Sequence, residues 1–268
     1  MARTCIFCGA PANSREDVWP CWLTSRFIAP GTMEAEKGPE LQMTTWRVDR
    51  PELVVKRVCR QCNHGWMSQL QGRGKPVIER LWNQDAATLD LEDCQALSLW
   101  AVMTSMVLQT LGKEENWLYS DYERTLMWNS QRMPSFIGIW IANCIGHTET
   151  YSQSRSMWSG PSRDAQRQAR GNAITMAFGK LAIQVLKVVP DGKIGPLKEI
   201  TVGQGYGDWE NIALQIWPLK GDPVTWPPPR GIRHETELEL FTERFRSQVD
   251  APSADDMAIF PTADDLSG

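Results

Sequence analysis

The chain has 268 residues, with 28 Lys or Arg against 32 Asp or Glu and a net charge of −4. At roughly 100–200 residues per domain, that length predicts one large or two unequal domains. The near-neutral balance argues against strong nonspecific binding to nucleic acid, and 42% apolar residues with 13 tryptophans argue against wholesale disorder. Charge is uneven along the chain: residues 1–75 hold 11 basic and 7 acidic side chains, a local +4 that leaves −8 for the rest. A mildly basic front part can approach a polyanion that the remainder repels.

In chain order, the first feature is Cys5-Ile6-Phe7-Cys8-Gly9, two cysteines two residues apart with a glycine to make the tight turn of a metal knuckle. The start of the sequence shows no apolar stretch ahead of a small-residue cleavage site, so the expected compartment is the cytoplasm. Ser14 to Phe27 is predicted to hold a short helical stretch, and Gly31 to Leu41, rich in Gly, Pro and Glu, a loop. The β-branched run Leu53-Val54-Val55 then leads into the second pair, Cys59-Arg60-Gln61-Cys62, and on to a helix from Asn63. Two C-x-x-C knuckles offer the four thiolates that a structural zinc prefers, so Cys5, Cys8, Cys59 and Cys62 are expected to hold one ion. Cys21, Cys94 and Cys144 stand alone and are assigned to packing.

After Gly74-Lys75 the pattern changes, and Pro76 is expected to open a helix through Trp82. Asp90 and Asp93 mark a helix start; Leu97, Trp100, Ala101, Thr104 and Leu108 then line one face until Gly112. The apolar run from Ala96 to Leu111 is sixteen residues, short of the ~20 that a bilayer needs, and predicts a buried helix with no membrane contact. A further helix is expected over 121–129. Strands are expected over 136–141, 173–178, 181–189 and 212–217, followed by an extended Trp226-Pro227-Pro228-Pro229 and a closing helix from His234 to Arg246. Residues 247–268 carry five acidic and no basic side chains and are expected to be a flexible tail. The expected class is therefore α+β: a zinc-bound module over 1–75, a helical plus antiparallel-sheet domain over 76–246, and the tail.

The order Cys5-x-x-Cys8-Gly9, then Glu16-Asp17 with Pro20 three residues on, then Cys59-x-x-Cys62-Asn63, resembles the zinc-containing branch of the HNH endonuclease family. It covers about residues 4 to 70, a quarter of the chain. The resemblance implies a treble-clef or ββα-metal module with a catalytic divalent cation, Mg²⁺ or Mn²⁺, separate from the zinc, and DNA as the partner. By position it implies that Glu16 and Asn63 hold that cation. The departure falls on the general base, where the family has a histidine and this chain has Asp17. Imidazole near pKa 6.5 is matched to proton abstraction at neutral pH, whereas a carboxylate near 3.9 is a weaker base, so a loss of rate is expected. Asp17 takes the base role if burial or Glu16 raises its pKa, or else becomes a further ligand; His64 is the other candidate base, though a helix turns it about 100° from Asn63. The family's middle asparagine is not evident among Leu53 to Arg57. Arg57, Arg60, Arg73 and Lys75 are candidate phosphate contacts, and Trp19, Trp22 and Trp66 are assigned to the core around the metal. A second reading is a catalytically inactive zinc-stapled adaptor that binds nucleic acid or protein. A third places the main function in the larger part, for which the sequence offers no motif.

Overall fold

A computed structural model describes residues 3–26, 31–37, 42–48, 54–112, 114, 117–145, 150–159, 169–190 and 209–245. The expected acidic tail lies outside them. The described chain is α+β with a cysteine cluster at its amino-terminal end.

The front part holds β1 (Glu16–Asp17), α1 (Cys21–Thr24), β2 (Gly31–Lys37), β3 (Gln42–Val48) and β4 (Val54–Val55). β1 pairs antiparallel with β4, and β2 with β3 in register from Gly31 opposite Val48 to Lys37 opposite Gln42. The loop expected over Gly31 to Leu41 is therefore corrected over residues 31–37, which form a strand. The glycines and prolines that suggest a loop flank the segment, and its partner, with Thr44, Thr45, Trp46 and Val48, has strong strand character.

The helix start at Pro76 is corrected too. A short helix α2 (Arg60–Cys62) passes through a wide turn, Asn63–Met67, broken at Gly65, into α3 (Ser68–Asn83), which runs straight through Pro76. The expected division after residue 75 thus falls inside a helix. Proline costs a helix interior about 3 kcal/mol, but Leu70, Val77, Ile78 and Leu81 form a buried stripe on both sides of it, and that packing outweighs the loss. At Gly74 a β-carbon would sit 3.0 Å from the β-carbon of Trp100, so glycine lets α3 approach the next long helix closely.

That helix, α4 (Leu91–Leu108), follows β5 (Ala87–Leu89) and starts at Asp90, whose side chain accepts from the Asp93 N–H while Asp93 reaches back. Apolar residues ring it on every side, and it is buried accordingly; its most apolar stretch is long enough to cross a membrane but lies 78% inside the fold. After α5 (Asp121–Ser130) come β6 (Ile137–Asn143), β7 (Thr150–Ser159), β8 (Ala169–Phe178), β9 (Leu181–Pro190) and β10 (Ala213–Trp217). These form one antiparallel sheet in the order β10-β6-β9-β8-β7. β11 (Val224–Trp226) pairs with β5, and α6 (Glu235–Glu243) closes the described chain.

The sheet is covered on both faces, which explains its near-continuous apolar runs. Ile139, Ile141, Ile174, Met176, Phe178, Ile183 and Val185 face α3, α4 and the cysteine module, while Trp140, Ala142, Ala173, Ala177, Ala182 and Leu186 face α6. Phe178 is the hub of the first layer: the rings of Trp19, Trp82 and Trp100 meet it edge-on at 6.0, 5.8 and 6.0 Å. A single apolar cluster therefore joins the cysteine module to the sheet. A polar tie reinforces it, because the buried Arg124 of α5 donates from Nε to the Ile6 carbonyl at 3.1 Å and also bonds the Tyr119 carbonyl and Asp121.

Candidate metal centre

The first knuckle is closed by Cys5 N–H to the Ala10 carbonyl at 2.7 Å and Gly9 N–H to the Cys5 carbonyl at 3.0 Å. Gly9 sits at φ +73°, a conformation that glycine takes without steric cost. The second knuckle is closed by Cys62 N–H to Cys59 Sγ at 3.4 Å. Ile6 N–H donates to the Arg57 carbonyl at 2.9 Å and Arg60 N–H to Asn13 Oδ1 at 2.9 Å, which staple one knuckle to the other.

The outcome is that the sulfurs of Cys5, Cys8, Cys59 and Cys62 all lie within 4.8 Å of one another. Cys8 and Cys59 Sγ stand 3.5 Å apart, too far for a disulfide near 2.05 Å and close to the ~3.8 Å edge of a tetrahedron with ~2.3 Å metal–sulfur bonds. Four soft donors converging from two knuckles fit a metal of thiolate preference. Among the described residues this is the one group of three or more His, Cys, Asp or Glu side chains placed to hold an ion. Burial pushes the Cys62 thiol up and does the same at Cys8, whereas at Cys59 the Cys62 N–H and the neighbouring thiols outweigh burial and bring it down.

No family model, no curated protein and no solved structure matches the chain. What the site can do is therefore argued from its own geometry.

Beside the thiols, the β1–β4 ribbon meets the start of the helix. Glu16, opposite Val55, is 4% exposed, and its neighbour Asp17 turns outward, as alternation along a strand requires. Asn63 Nδ2 donates to Ser14 Oγ at 3.4 Å and to the Arg15 carbonyl at 3.5 Å. Burial, with the adjacent Asp17 charge, pushes Glu16 up to about 7 against the opposing pull of Asn63. Asp17 Oδ2 instead accepts from Cys21 Sγ at 3.6 Å, and Cys21 is exposed rather than packed, unlike Cys94 and Cys144.

His64 is exposed and lines an open groove with Ala10, Pro11, Asn13, Arg60 and Gln61. Arg57 and Lys75 lie over the rings of Trp117 and Trp22, and Arg73 donates to Gln131, so Arg60 is the candidate phosphate contact that borders this groove. Trp19 and Trp66 are buried as expected, while Trp22 is half-buried under Lys75. Nothing in the sequence signals the parts played by Ser14, Cys21 and Arg124; each acts through a contact with a residue distant in the chain or on another face.

Proposed function

We propose that the chain is a metal-dependent endonuclease resembling the HNH family, which hydrolyses phosphodiester bonds in DNA. In this reading Cys5, Cys8, Cys59 and Cys62 hold a structural zinc in a treble-clef or ββα-metal module, and Glu16 and Asn63 hold Mg²⁺ or Mn²⁺. The observation that carries it is the placement of Glu16 and Asn63 beside the thiols: a buried carboxyl and an amide that opposes the rise in its pKa, far apart in sequence, where a ribbon meets a helix start. Oxygen donors of this kind suit a hard cation, which when bound supplies positive charge to the phosphate and its leaving oxygen. Such a charge offsets the burial and the Asp17 repulsion that hold Glu16 up. In this reading Asn63 completes the cation site with Glu16, and Asp17, the more exposed carboxylate, takes the proton of the attacking water. Its weaker basicity predicts a slow enzyme.

One observation favours the second reading, an adaptor that binds nucleic acid or protein without cleaving: Asp17 has no imidazole and its Oδ2 is engaged by Cys21. Supercoiled plasmid with Mg²⁺ or Mn²⁺ separates the two. Nicking by the wild-type chain, abolished in Asn63→Ala and raised about 100-fold in Asp17→His, supports the nuclease. No nicking by any of the three overturns it, and a salt-sensitive DNA gel shift then identifies an adaptor for nucleic acid.

A further inference from the structure

Ile6 stands between the two cysteines of the first knuckle, and both of its backbone groups are taken by arginines. Its N–H donates to the Arg57 carbonyl at 2.9 Å, and its carbonyl accepts from Arg124 Nε at 3.1 Å. The two arginines differ in origin. Arg57 leads into the second knuckle, whereas Arg124 belongs to α5, 118 residues further along the chain from Ile6. Their guanidinium groups nevertheless share one ring, lying 5.4 and 5.1 Å from the centre of Trp117. That ring is anchored in turn, because its indole N–H donates to the Gly112 carbonyl at 3.4 Å and its backbone N–H to the Glu114 carbonyl at 3.1 Å.

Arg124 is 6% exposed, although its carboxylate partner Asp121 lies almost wholly in solvent. A surface ion pair does not require a buried arginine, and arginine is seldom buried without partners. Burial here lets one planar fork of N–H donors reach three acceptors at once: the Ile6 carbonyl, the Tyr119 carbonyl and Asp121. The first of these touches the knuckle. In a trans peptide the carbonyl and the following N–H point to opposite sides, so holding the Ile6 carbonyl also fixes the Phe7 N–H and the peptide plane that links Cys5 to Cys8.

We infer that Arg124 is a positioning residue of the thiol centre: a strut from the larger part of the chain that sets the peptide plane of the first knuckle, and through it the relative placement of the Cys5 and Cys8 sulfurs, with Trp117 and Arg57 as its brace. The inference rests on the reading that the four thiols bind a metal. Partners that orient metal ligands typically contribute about 10–100-fold to affinity, and Arg124, which acts one bond further out through Ile6, belongs at the lower end of that range.

Full-length protein loaded with Co²⁺ tests it. Arg124→Met, which keeps an apolar stem beside Trp117 and deletes every donor, is expected to weaken Co²⁺ binding about 10-fold in chelator competition. It is also expected to shift the d–d bands, which report the angles between the four sulfurs. Met127→Ala, which hollows the buried side of the same helix and keeps the guanidinium, is expected to leave those bands in place. Unchanged bands and affinity in Arg124→Met overturn the assignment, as does an equal band shift in Met127→Ala, which would make Arg124 a support of the fold alone. A wild-type chain with no cobalt–thiolate band sinks the metal centre itself and this assignment with it. If Arg124→Met does not fold, the wild type decides: in the zinc-loaded protein, NMR scalar coupling across the hydrogen bond from Arg124 Nε to the Ile6 carbonyl is expected, and its absence overturns the strut.

Discussion

The thiol centre and the neighbouring Glu16–Asn63 pair draw on the same two stretches of chain, yet they are finished to different degrees. At the thiols, backbone hydrogen bonds close both knuckles and join them, so four sulfurs converge on a single point. At Glu16, a two-residue ribbon brings in a carboxyl whose charge is opposed by burial and by Asp17 and favoured by the Asn63 amide. The first site is a staple whose geometry the chain supplies in full. The second is short of positive charge.

Breaking the staple is expected to have the largest effect. Structural zinc contributes roughly 10–16 kcal/mol in small metal-dependent modules, so Cys59→Ser is expected to cost more than about 5 kcal/mol in urea unfolding. A chelator should lower the wild-type midpoint in the same direction and leave Cys59→Ser unmoved. Because one apolar cluster runs from Cys5 and Phe7 to Phe178, the loss should reach the sheet and appear as one transition. A Cys59→Ser protein with the wild-type midpoint would reduce the two sites to equals and remove the basis of the contrast.

The Glu16–Asn63 pair is expected to show itself through pH. Folding lifts Glu16 from the usual carboxylate range to about 7, so the folded chain binds this proton more tightly than the unfolded chain does. Stability from this group is therefore fully present below about pH 4.5 and is lost as pH rises through 7, by up to about 3 kcal/mol without added divalent cation. Glu16→Gln should flatten that slope and be the more stable protein at pH 8. Added Mn²⁺ should restore stability to the wild type at pH 8 and leave Glu16→Gln unaffected. A wild-type slope of the opposite sign between pH 5 and 8 would show that the carboxyl is already compensated.

How much of this is legible in the sequence follows the same division. The thiol set is readable because C-x-x-C spacing encodes a local geometry that survives in any fold. Asp90 and Asp93 are readable for the same reason, since a capping box closes within one turn. Pro76 misleads because a local rule meets a buried stripe on both sides of it, and tertiary packing wins. The strand over 31–37 is hidden by the glycines and prolines around it, and β7 by a Ser-rich sequence with little apolar run. The outward turn of Asp17 is visible in strand alternation once β1 is known, but nothing in the sequence announces a two-residue strand. The proximity of Glu16 to Asn63 follows from the knuckles alone; the burial that raises Glu16 does not, because it depends on Val55 and its neighbours across the ribbon.

Ser14 offers the finest test, because it touches both regions. Its hydroxyl donates to the Val58 carbonyl at 2.9 Å, just before the second knuckle, and accepts from Asn63 Nδ2 at 3.4 Å, just after it. Ser14→Ala removes both of these hydrogen bonds at a half-buried site and is expected to cost about 1–2 kcal/mol. Bound metal should stay at the wild-type level, since Ser14 N–H to the Val58 carbonyl at 3.2 Å, Ile6 N–H to the Arg57 carbonyl and Arg60 N–H to Asn13 still join the knuckles. The Glu16 carboxyl, followed by carbon NMR against pH, should titrate lower than in the wild type, because Asn63, released from the hydroxyl, donates more fully to it. Loss of metal in Ser14→Ala would mean that the staple depends on the Glu16–Asn63 pair. An unmoved Glu16 titration would mean that the Ser14 hydroxyl does not hold Asn63 back from the carboxyl.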